Sequence, residues 1–515
     1  MLGGNHWLAA SFSSQSKRTI PSGMVHEEAT IMQVLAPHNA RSIETRLAKR
    51  SLKRRFASAF TLVELLVSMA LTLIIVYAIA EFYARVGTSV RNGRALIELR
   101  GQLRNVSQKL QSDLNSMTVK GVPGVDEAAG LGYLEIHEGY RRDWDCDANG
   151  TADYQQAITD NWPSSSITDL LGDADDIISG TIQSSSAIYL GRVPASVSGN
   201  GVAQSRQAEF IWFVSFTDLD GDAEWDLNEP RELHRRQLVV MPELNSNPGV
   251  VGGPFTAPFA AADVRNTLAS WYQNYDVSVR VESQSGGQFV LRANSLGDLS
   301  VRANRFAHQV TAGFPNRLDL VGAGGAADSL LGFMHPDFVI GRSIAVTPNT
   351  GASGEDLMMN NLLAFDVRLF DPTAPIYAHP TVGNEAVTPT DPDYPPATGT
   401  PIGRGAFVDL GHNRAASTFS GAPAAESGLG TETTYDTWTT LYERDGVDNR
   451  SLGHLDLGVN GIDDNNDGRV DEPAERDTLP PYGAPITGVQ VRIRCQDITS
   501  RQVQQATVSA DFIAD

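Results

Sequence analysis

The residues best suited to chemistry in this chain are acidic side chains that alternate within short, tightly turned loops. The first loop, residues 463–472, reads DDNNDGRVDE, with glycine at its sixth position. Its candidate ligands at positions 1, 3, 5 and 9 are Asp463, Asn465, Asp467 and Asp471. Calcium takes about six to eight oxygen ligands, which alternate side chains of an EF-hand-like loop supply. Position 12 is Ala474, so either Glu472 or Glu475 completes the predicted calcium site or the site is weak; a solvated acidic turn is the alternative.

Two further loops carry the same pattern less completely. One has Gly150 at position 6 and Gln156 at position 12, and its candidate ligands are Asp145, Asp147, Asn149 and Asp153. The other has Ala223 in place of the glycine and strand-like flanks, and its candidate ligands are Asp218, Asp220, Asp222, Asp226 and Glu229. Both are predicted to hold structural calcium, with an acidic turn again as the alternative.

Charge is distributed unevenly along the 515 residues. Residues 1–59 hold nine Lys/Arg and three Asp/Glu, whereas the rest of the chain holds 31 and 58. A body this acidic repels phosphate backbones and attracts divalent cations. We therefore expect metal ions as partners and no binding of nucleic acid.

No pattern typical of a catalytic centre accompanies the acidic loops. The sequence lacks GxSxG, HExxH, P-loop and dinucleotide-binding motifs, and its ten histidines are scattered, with His234 and His454 predicted to be surface residues. Cys146 and Cys495 allow at most one disulfide and fit no zinc spacing, and Cys495 is predicted to be buried on the core face of a strand. The sequence therefore predicts a protein that is not an enzyme.

One apolar segment can place this body at a membrane. Residues 60–80 read FTLVELLVSMALTLIIVYAIA and contain a single charge. As a helix they span about 31 Å, which is enough to cross a bilayer. Six basic residues lie within 15 positions before the segment, against Arg85, Arg91 and Arg94 after it. This bias predicts a cytoplasmic N-terminus and an extracytoplasmic body.

Two features distinguish the segment from an ordinary signal or anchor. The small residues Ala57, Ser58 and Ala59 precede the apolar run, whereas a secretory signal has them after it. Glu64 lies inside the run, where a carboxylate costs about 2.5 to 3.5 kcal/mol on insertion scales. The glutamate therefore needs a partner charge or a functional reason.

The sequence from Ala59 to Leu66, AFTLVELL, resembles the cleavage and methylation motif of type IV prepilins and type II secretion pseudopilins. The resemblance implies that a prepilin peptidase cuts between Ala59 and Phe60 and methylates the new amine. It also implies that Glu64 is the family's assembly glutamate, which can pair with a Phe60 amine as helices pack together. The family usually has glycine where Ala59 stands and a shorter leader; Met24 and Met32 are alternative starts.

Beyond the membrane segment, the periodicity predicts one long helix followed by strands. Apolar residues spaced by three or four positions continue the helix from about Phe60 to Met117. Short apolar runs then predict strands at 186–193, 209–216, 237–241, 277–282, 338–346 and 362–370, and a closing hairpin over 486–498 and 502–513. The hairpin resembles the ending of J-class minor pseudopilins. The stretch 371–440, rich in Pro, Thr, Gly, Ala and Ser, is predicted to be an insertion or surface loop.

These patterns predict an α+β protein in which a long transmembrane and amphipathic helix packs on a β-rich, pilin-like domain with large loop insertions. Its parts are a cleaved cytoplasmic leader (1–59), the pilin-type helix (60–118, membrane-spanning over 60–80) and the extracytoplasmic head (119–515).

Three functions remain open at this point. They are a minor pseudopilin of a type II secretion system, a minor pilin of a type IV pilus or DNA-uptake machine, and a membrane-anchored, calcium-stabilised adhesin or enzyme. The first two imply an inner-membrane protein that assembles into a periplasmic or surface filament with other pilin or pseudopilin subunits.

Overall fold

The computed structural model describes the chain from Phe60 onward, with gaps. The described residues are 60–119, 121, 124–139, 172–186, 188–216, 229–246, 257–308, 318–320, 333–334, 338–339, 355–379, 386–389, 400–410, 434–437, 439–444, 461–463, 466–471, 475, 486–498 and 500–512. The leader therefore lies outside the described residues. The chain divides into two compact units, Met1–Val76 and Tyr77–Asp515.

Helix α1 spans Leu62–Asn115, close to the helix predicted from the sequence. It is long and apolar enough to cross a membrane. In the first unit its apolar side chains are exposed, with Leu66 at 61% and Ile74 at 63%. In the second unit one face is buried at intervals of three or four residues, by Leu99, Leu103, Val106, Leu110 and Leu114. The predicted amphipathic stripe is therefore confirmed.

The second unit also holds 16 strands among its described residues and a shorter helix, α2 (Val264–Asn274). In chain order the strands are β1 (Leu134–His137), β2 (Ile177–Gln183), β3 (Tyr189–Arg192), β4 (Val202–Ser205), β5 (Gln207–Phe216), β6 (Arg231–Val239), β7 (Phe259–Ala260), β8 (Val279–Gln284), β9 (Gln288–Ala293), β10 (Glu355–Asn360), β11 (Leu362–Ala378), β12 (Ala386–Val387), β13 (Gly403–Val408), β14 (Thr434–Asp436), β15 (Gly488–Gln496) and β16 (Val503–Asp511). A long helix combined with β-rich structure confirms the α+β class.

The larger sheet has six antiparallel strands in the order β10-β6-β5-β2-β1-β14. The second sheet has the order β12-β11-β15-β16, with β13 also paired to β11. The chain passes from one sheet to the other between β10 and β11, where Asn361 adopts φ 54°, a left-handed conformation that asparagine tolerates well. Two small sheets, β3-β4 and β7-β9-β8, complete the topology.

Strands β15 and β16 form the predicted C-terminal hairpin, in continuous register from Gly488↔Asp511 to Gln496↔Val503. Its turn is closed by the Asp497 carboxylate, which accepts the Ser500 N–H at 2.7 Å. Cys495 is fully buried on the core face, as predicted, and burial raises the pKa of its thiol to about 12. The hairpin thus supplies the core with alternate side chains, the pattern that made it recognisable in the sequence.

The main core lies between the buried face of α1 and both large sheets. Leu103 and Leu110 of the helix share one cluster with Trp212 of β5 and Val491 of β15. A second cluster joins α2 to the small three-stranded sheet and to the opposite face of β5, where Phe213 points. Because side chains alternate along a strand, β5 contributes to both cores.

The structure differs from the sequence-based prediction in the segment 371–440. Strand β11 continues through it to Ala378, β13 pairs with β11, and β14 forms an edge of the larger sheet. The short strands carry few apolar residues, and therefore lack the periodicity that reveals a strand. Of the predicted strand at 338–346, only Phe338 and Val339 lie among the described residues, where Phe338 is in a 3-10 turn and Val339 in a bend.

Candidate functional site

The start of α1 places the predicted assembly residue in a reciprocal hydrogen-bonded pair. Glu64 accepts hydrogen bonds from the Thr61 backbone N–H at 3.0 Å and from its hydroxyl at 3.1 Å. Thr61 Oγ1 in turn accepts the Glu64 N–H at 3.2 Å. This is a capping box, which satisfies N–H groups that have no partner within the helix. The Thr-x-x-Glu spacing signals this role for Thr61, which the sequence analysis did not consider.

The predicted processing site is only partly described. Ala59 lies outside the described residues, and Phe60 is 83% exposed.

A buried ion pair fixes the second half of α1 to the larger sheet. Asp113 is 2% exposed and accepts hydrogen bonds from Arg235 Nε at 2.6 Å and Nη2 at 3.0 Å. Trp212 Nε1 donates to the same carboxylate at 3.0 Å. A bidentate arginine and an indole together allow little rotation of the helix about its axis, so this group sets which face of α1 meets the sheets.

The loop that best matches a calcium site forms a closed turn. Asp463 accepts the backbone N–H groups of Asp467 at 3.1 Å and Gly468 at 2.8 Å. Asp471 Oδ1 accepts the Gly461 N–H at 3.0 Å, which joins the two ends of the turn. Gly468 has φ 92°, a conformation that requires glycine and matches the sixth position of an EF-hand loop. Exposed carboxylate oxygens in such a turn fit the ligands that calcium prefers.

The remaining predicted ligands are mostly outside the described residues. This applies to Asn465, to Asp145, Asp147, Asn149 and Asp153, and to Asp218, Asp220, Asp222 and Asp226. Glu229, the last candidate of the third loop, is described and is 5% exposed.

His234, predicted to lie on the surface, is instead buried. Its ring stacks on Phe213 with 5.4 Å between centroids, and its Nε2 lies 2.8 Å from Ser215 Oγ. The prediction was wrong because β6 is an inner strand of the larger sheet, covered on both faces, and the charged residues next to His234 are buried with it.

A carboxylate cluster that the sequence analysis missed lies where the two large sheets meet. We define it as Glu138, Asp173 and Asp176, all at most 4% exposed, each with a carboxylate oxygen within 4.8 Å of the others. Glu138 follows β1, and the two aspartates precede β2. Asp176 accepts the Val367 N–H of β11 at 2.6 Å and the Gly139 N–H at 3.1 Å. Both hydrogen bonds fix it at the boundary between the sheets.

The carboxylate cluster has an unfavourable electrostatic environment. Burial, followed by the negative charges of Asp176, Asp409 and Asp366, raises the pKa of Glu138 well above its usual value. Burial and neighbouring carboxylates likewise raise the pKa of Asp173 and Asp176. Such a group either keeps protons at neutral pH or requires a cation, and three convergent carboxylates are suitable ligands for a divalent metal.

One weak signal for this cluster is present in the sequence. Asp173, Asp175 and Asp176 form a short acidic run directly before the apolar strand β2, where exposed turn residues are the usual expectation. Glu138 is separated from that run by more than 30 positions, so no local spacing links them. Only the pairing of β1 with β2 brings the residues together.

Comparison with protein-family models, with curated proteins and with solved structures finds no match to this chain.

Proposed function

We propose that this chain is a minor pseudopilin-like structural subunit of a type II secretion pseudopilus, cleaved by a prepilin peptidase and assembled through its N-terminal helix. The observation that carries the proposal is the Thr61–Glu64 pair at the start of a helix whose apolar side chains are exposed over its first half and buried in a β-rich body over its second. A soluble protein has no reason to expose such a surface.

The proposed assembly uses Glu64 as a charge that finds its partner in the filament. Cleavage before Phe60 creates an α-amine four residues before Glu64. In lipid, the carboxylate is costly unless a positive charge neutralises it, so pairing with the amine of a neighbouring subunit favours association. The capping box with Thr61 gives the carboxylate hydrogen bonds before that partner is present.

The orientation follows from the charges at the two ends of the segment. With the basic leader in the cytoplasm, the acidic head lies outside the inner membrane, where calcium is available to it. We propose that the 463–472 loop binds a structural calcium ion through Asp463, Asp467 and Asp471, an assignment supported by the closed turn and by the glycine at its sixth position.

Mass spectrometry of the N-terminal peptide, from full-length protein extracted from membranes, tests the processing step. We expect the chain to begin at Phe60 with one added methyl group, and we expect Ala59→Leu to retain the leader because the cleavage site no longer ends in a small residue. A wild-type chain that keeps its leader at Met1, Met24 or Met32 contradicts the proposal and favours a plain membrane anchor.

Cross-linking in membranes tests the assembly step. Glu64→Ala should lose cross-links to other pilin-like subunits. Glu81→Ala, which alters an exposed glutamate of the same helix that pairs with Arg85, should keep them. Co-purification with secretion-system subunits, rather than pilus subunits, supports the pseudopilus. Equal cross-linking of both variants contradicts the assigned role of Glu64.

Thermal unfolding with calcium or with a chelator tests the metal assignment. We expect calcium to raise the unfolding midpoint of the wild-type chain, because a ligand that binds only the folded state stabilises it. Asp463→Ala should abolish this response. Asp298→Ala, which removes an aspartate at the start of a short 3-10 helix elsewhere in the chain, should not. A response that survives Asp463→Ala places the ion elsewhere.

A further inference from the structure

Three aromatic side chains at the end of the uncharged run of α1 are not used by the proposed assembly. They are Tyr77, Phe82 and Tyr83, which are 72%, 63% and 69% exposed. We call them the aromatic girdle. All three belong to the second unit, which begins at Tyr77. Phe82 and Tyr83 contact each other edge to face, with 6.0 Å between their centroids. Large rings that are exposed together mark a surface that binds something other than water.

The rings of the aromatic girdle leave α1 in three different directions. An α-helix turns by about 100° per residue, so Phe82 lies about 140° and Tyr83 about 240° around the axis from Tyr77. The girdle therefore surrounds the helix. The residues that pack on the head, such as Leu99 and Leu103, instead share a single face. A protein partner covers one side of a helix, whereas a lipid layer surrounds it, and the arrangement of the rings favours lipid.

The polarity of α1 changes at the aromatic girdle. No charged residue lies between Glu64 and Glu81, whereas Arg85, Arg91 and Arg94 follow within the next 13 positions. Glu81 and Arg85 form an ion pair at 2.8 Å, and both side chains are largely exposed. Tyrosine is enriched where hydrocarbon meets water, because its ring is apolar and its hydroxyl is polar. The girdle therefore lies where an apolar surrounding gives way to a polar one.

We propose that the aromatic girdle binds the lipid headgroup layer on the side of the membrane that carries the head, and that it fixes how far α1 rises from the bilayer. This inference rests on the membrane span proposed above and adds the point at which the helix leaves the lipid. The rings lie at the boundary between acyl chains and headgroups. The two tyrosine hydroxyls hydrogen-bond there to headgroups or water, and Phe82 adds apolar area on the third side.

The position of the aromatic girdle keeps the head clear of the lipid. Every residue of α1 from 77 to 91 is exposed, and the buried face begins at Leu99, which is 6% exposed. Leu99 comes 16 positions after Tyr83, a rise of about 24 Å along the helix. A headgroup layer is roughly 5 to 8 Å thick on each side of the hydrocarbon. The part of α1 just beyond the girdle is therefore in water, and its accessibility can be measured.

Electron paramagnetic resonance of a spin label tests this boundary, with the full-length chain in vesicles of phosphatidylethanolamine and phosphatidylglycerol. The label is attached to one added cysteine, Ala78→Cys, Ala84→Cys or Thr88→Cys, in a chain that also carries Cys146→Ser. Cys495 is fully buried, and the chain without an added cysteine is the blank. Oxygen concentrates in lipid, and a nickel chelate on both sides of the membrane stays in water. All three labelled positions are exposed in the structure, so the fold itself does not shield them.

The three labels should report the boundary in order. We expect Ala78→Cys to be open to oxygen and shielded from the nickel chelate, Thr88→Cys to show the reverse, and Ala84→Cys to be intermediate. A label at Thr88→Cys that is shielded as strongly as the one at Ala78→Cys places the boundary further along the helix and overturns the proposal. A label at Ala78→Cys that is open to nickel contradicts both the girdle and the membrane span.

Two double variants, each read with the label at Ala84→Cys, test whether the rings set the depth of α1. Phe82→Ser with Tyr83→Ser should raise the accessibility of the label to nickel several-fold, because the helix loses the rings that hold this position at the lipid. Val86→Ser with Val90→Ser is the matched control, since it replaces two exposed apolar side chains beyond the girdle, and it should leave the label unchanged. No change in the first variant, or an equal change in both, overturns the assignment.

These measurements need neither cleavage nor a partner subunit. A chain that keeps its leader therefore contradicts the proposed processing and leaves the girdle untouched. A girdle in the wrong place leaves the processing and assembly tests untouched.

Discussion

Glu135, in β1, and Glu138, three positions later, are both buried, but their pKa values are shifted in opposite directions. Arg302 and Arg305 donate to Glu135, whereas other carboxylates surround Glu138. Burial disfavours the ionised form at both positions, and the sign of the neighbouring charges then decides whether the pKa falls or rises. The position of a buried acid within the fold is therefore less informative than the residues it faces.

Among the substitutions that test this difference, the one expected to change stability most is at Glu135. Glu135→Gln removes the charge that pairs with Arg302 and Arg305 but keeps the side-chain shape. Removing one partner of a buried ion pair costs about 3 to 5 kcal/mol, and we expect a loss of that order in the free energy of unfolding. Denaturant unfolding measures it.

Glu243→Gln is the matched control, because Glu243 is an exposed glutamate in a short helical turn, and it should change the stability by less than about 0.5 kcal/mol. A cost at Glu135 no greater than that of the control would show that the buried ion pairs of Glu135 contribute nothing to stability.

A smaller effect is expected from crowding Asp175, which lies between Asp173 and Asp176 of the carboxylate cluster in the sequence. A Cβ added at Gly139 would lie 2.0 to 2.3 Å from the Asp175 carboxyl atoms, too close for any real contact. Gly139→Ala should therefore push Asp175 and the chain around it apart, with a loss of about 1 to 3 kcal/mol by overpacking. Gly199→Ala, at a glycine with open space around it, is the control and should be tolerated. Equal stability of the two variants would mean that the segment before β2 moves aside freely.

The smallest effect, and the one opposite in sign, is expected at Glu138. With a chelator present, Glu138→Gln removes a charge that its carboxylate neighbours repel and keeps an acceptor for the Leu410 N–H, which Glu138 Oε2 binds at 3.0 Å. We expect a gain in the free energy of unfolding of about 1 kcal/mol near neutral pH, the size common for a single stabilising substitution. Unfolding measurements over a range of pH check both its size and its sign.

The pH dependence separates the two glutamates. The raised pKa of Glu138 means that its favourable contribution is complete below about pH 4 and is lost as pH rises through the folded-state value. The lowered pKa of Glu135 means the reverse, a contribution present above about pH 4 and lost as pH falls. Glu138→Gln should therefore gain over wild type only as pH rises above that range. A gain that is constant with pH would point to packing instead of charge.

Local sequence patterns predicted the helices and strands whose apolar residues recur with a clear period. Helix α1 followed from an apolar run and a leucine stripe that depend only on neighbouring positions, and the hairpin β15–β16 followed from strict alternation across a short turn. Strands such as β1 and β14 were missed because they are short and polar. Glu135 and Asp436 lie opposite each other in those strands. Arg305, which is far from both in the sequence, forms an ion pair with each of them.

The sequence by itself determined that this chain has one apolar helix able to cross a membrane, an acidic body, and a turn at 463–472 with the spacing of a calcium loop, because each of these depends on residues close together in the chain. The tertiary structure decided which buried charges meet. Glu138 and Asp176, or Glu135 and Arg305, are separated by long stretches of sequence, and only the pairing of β1 with β2 and the packing of 302–308 against β1 set their distances. Since the energy of a buried charge depends on those distances, no local pattern could have assigned it.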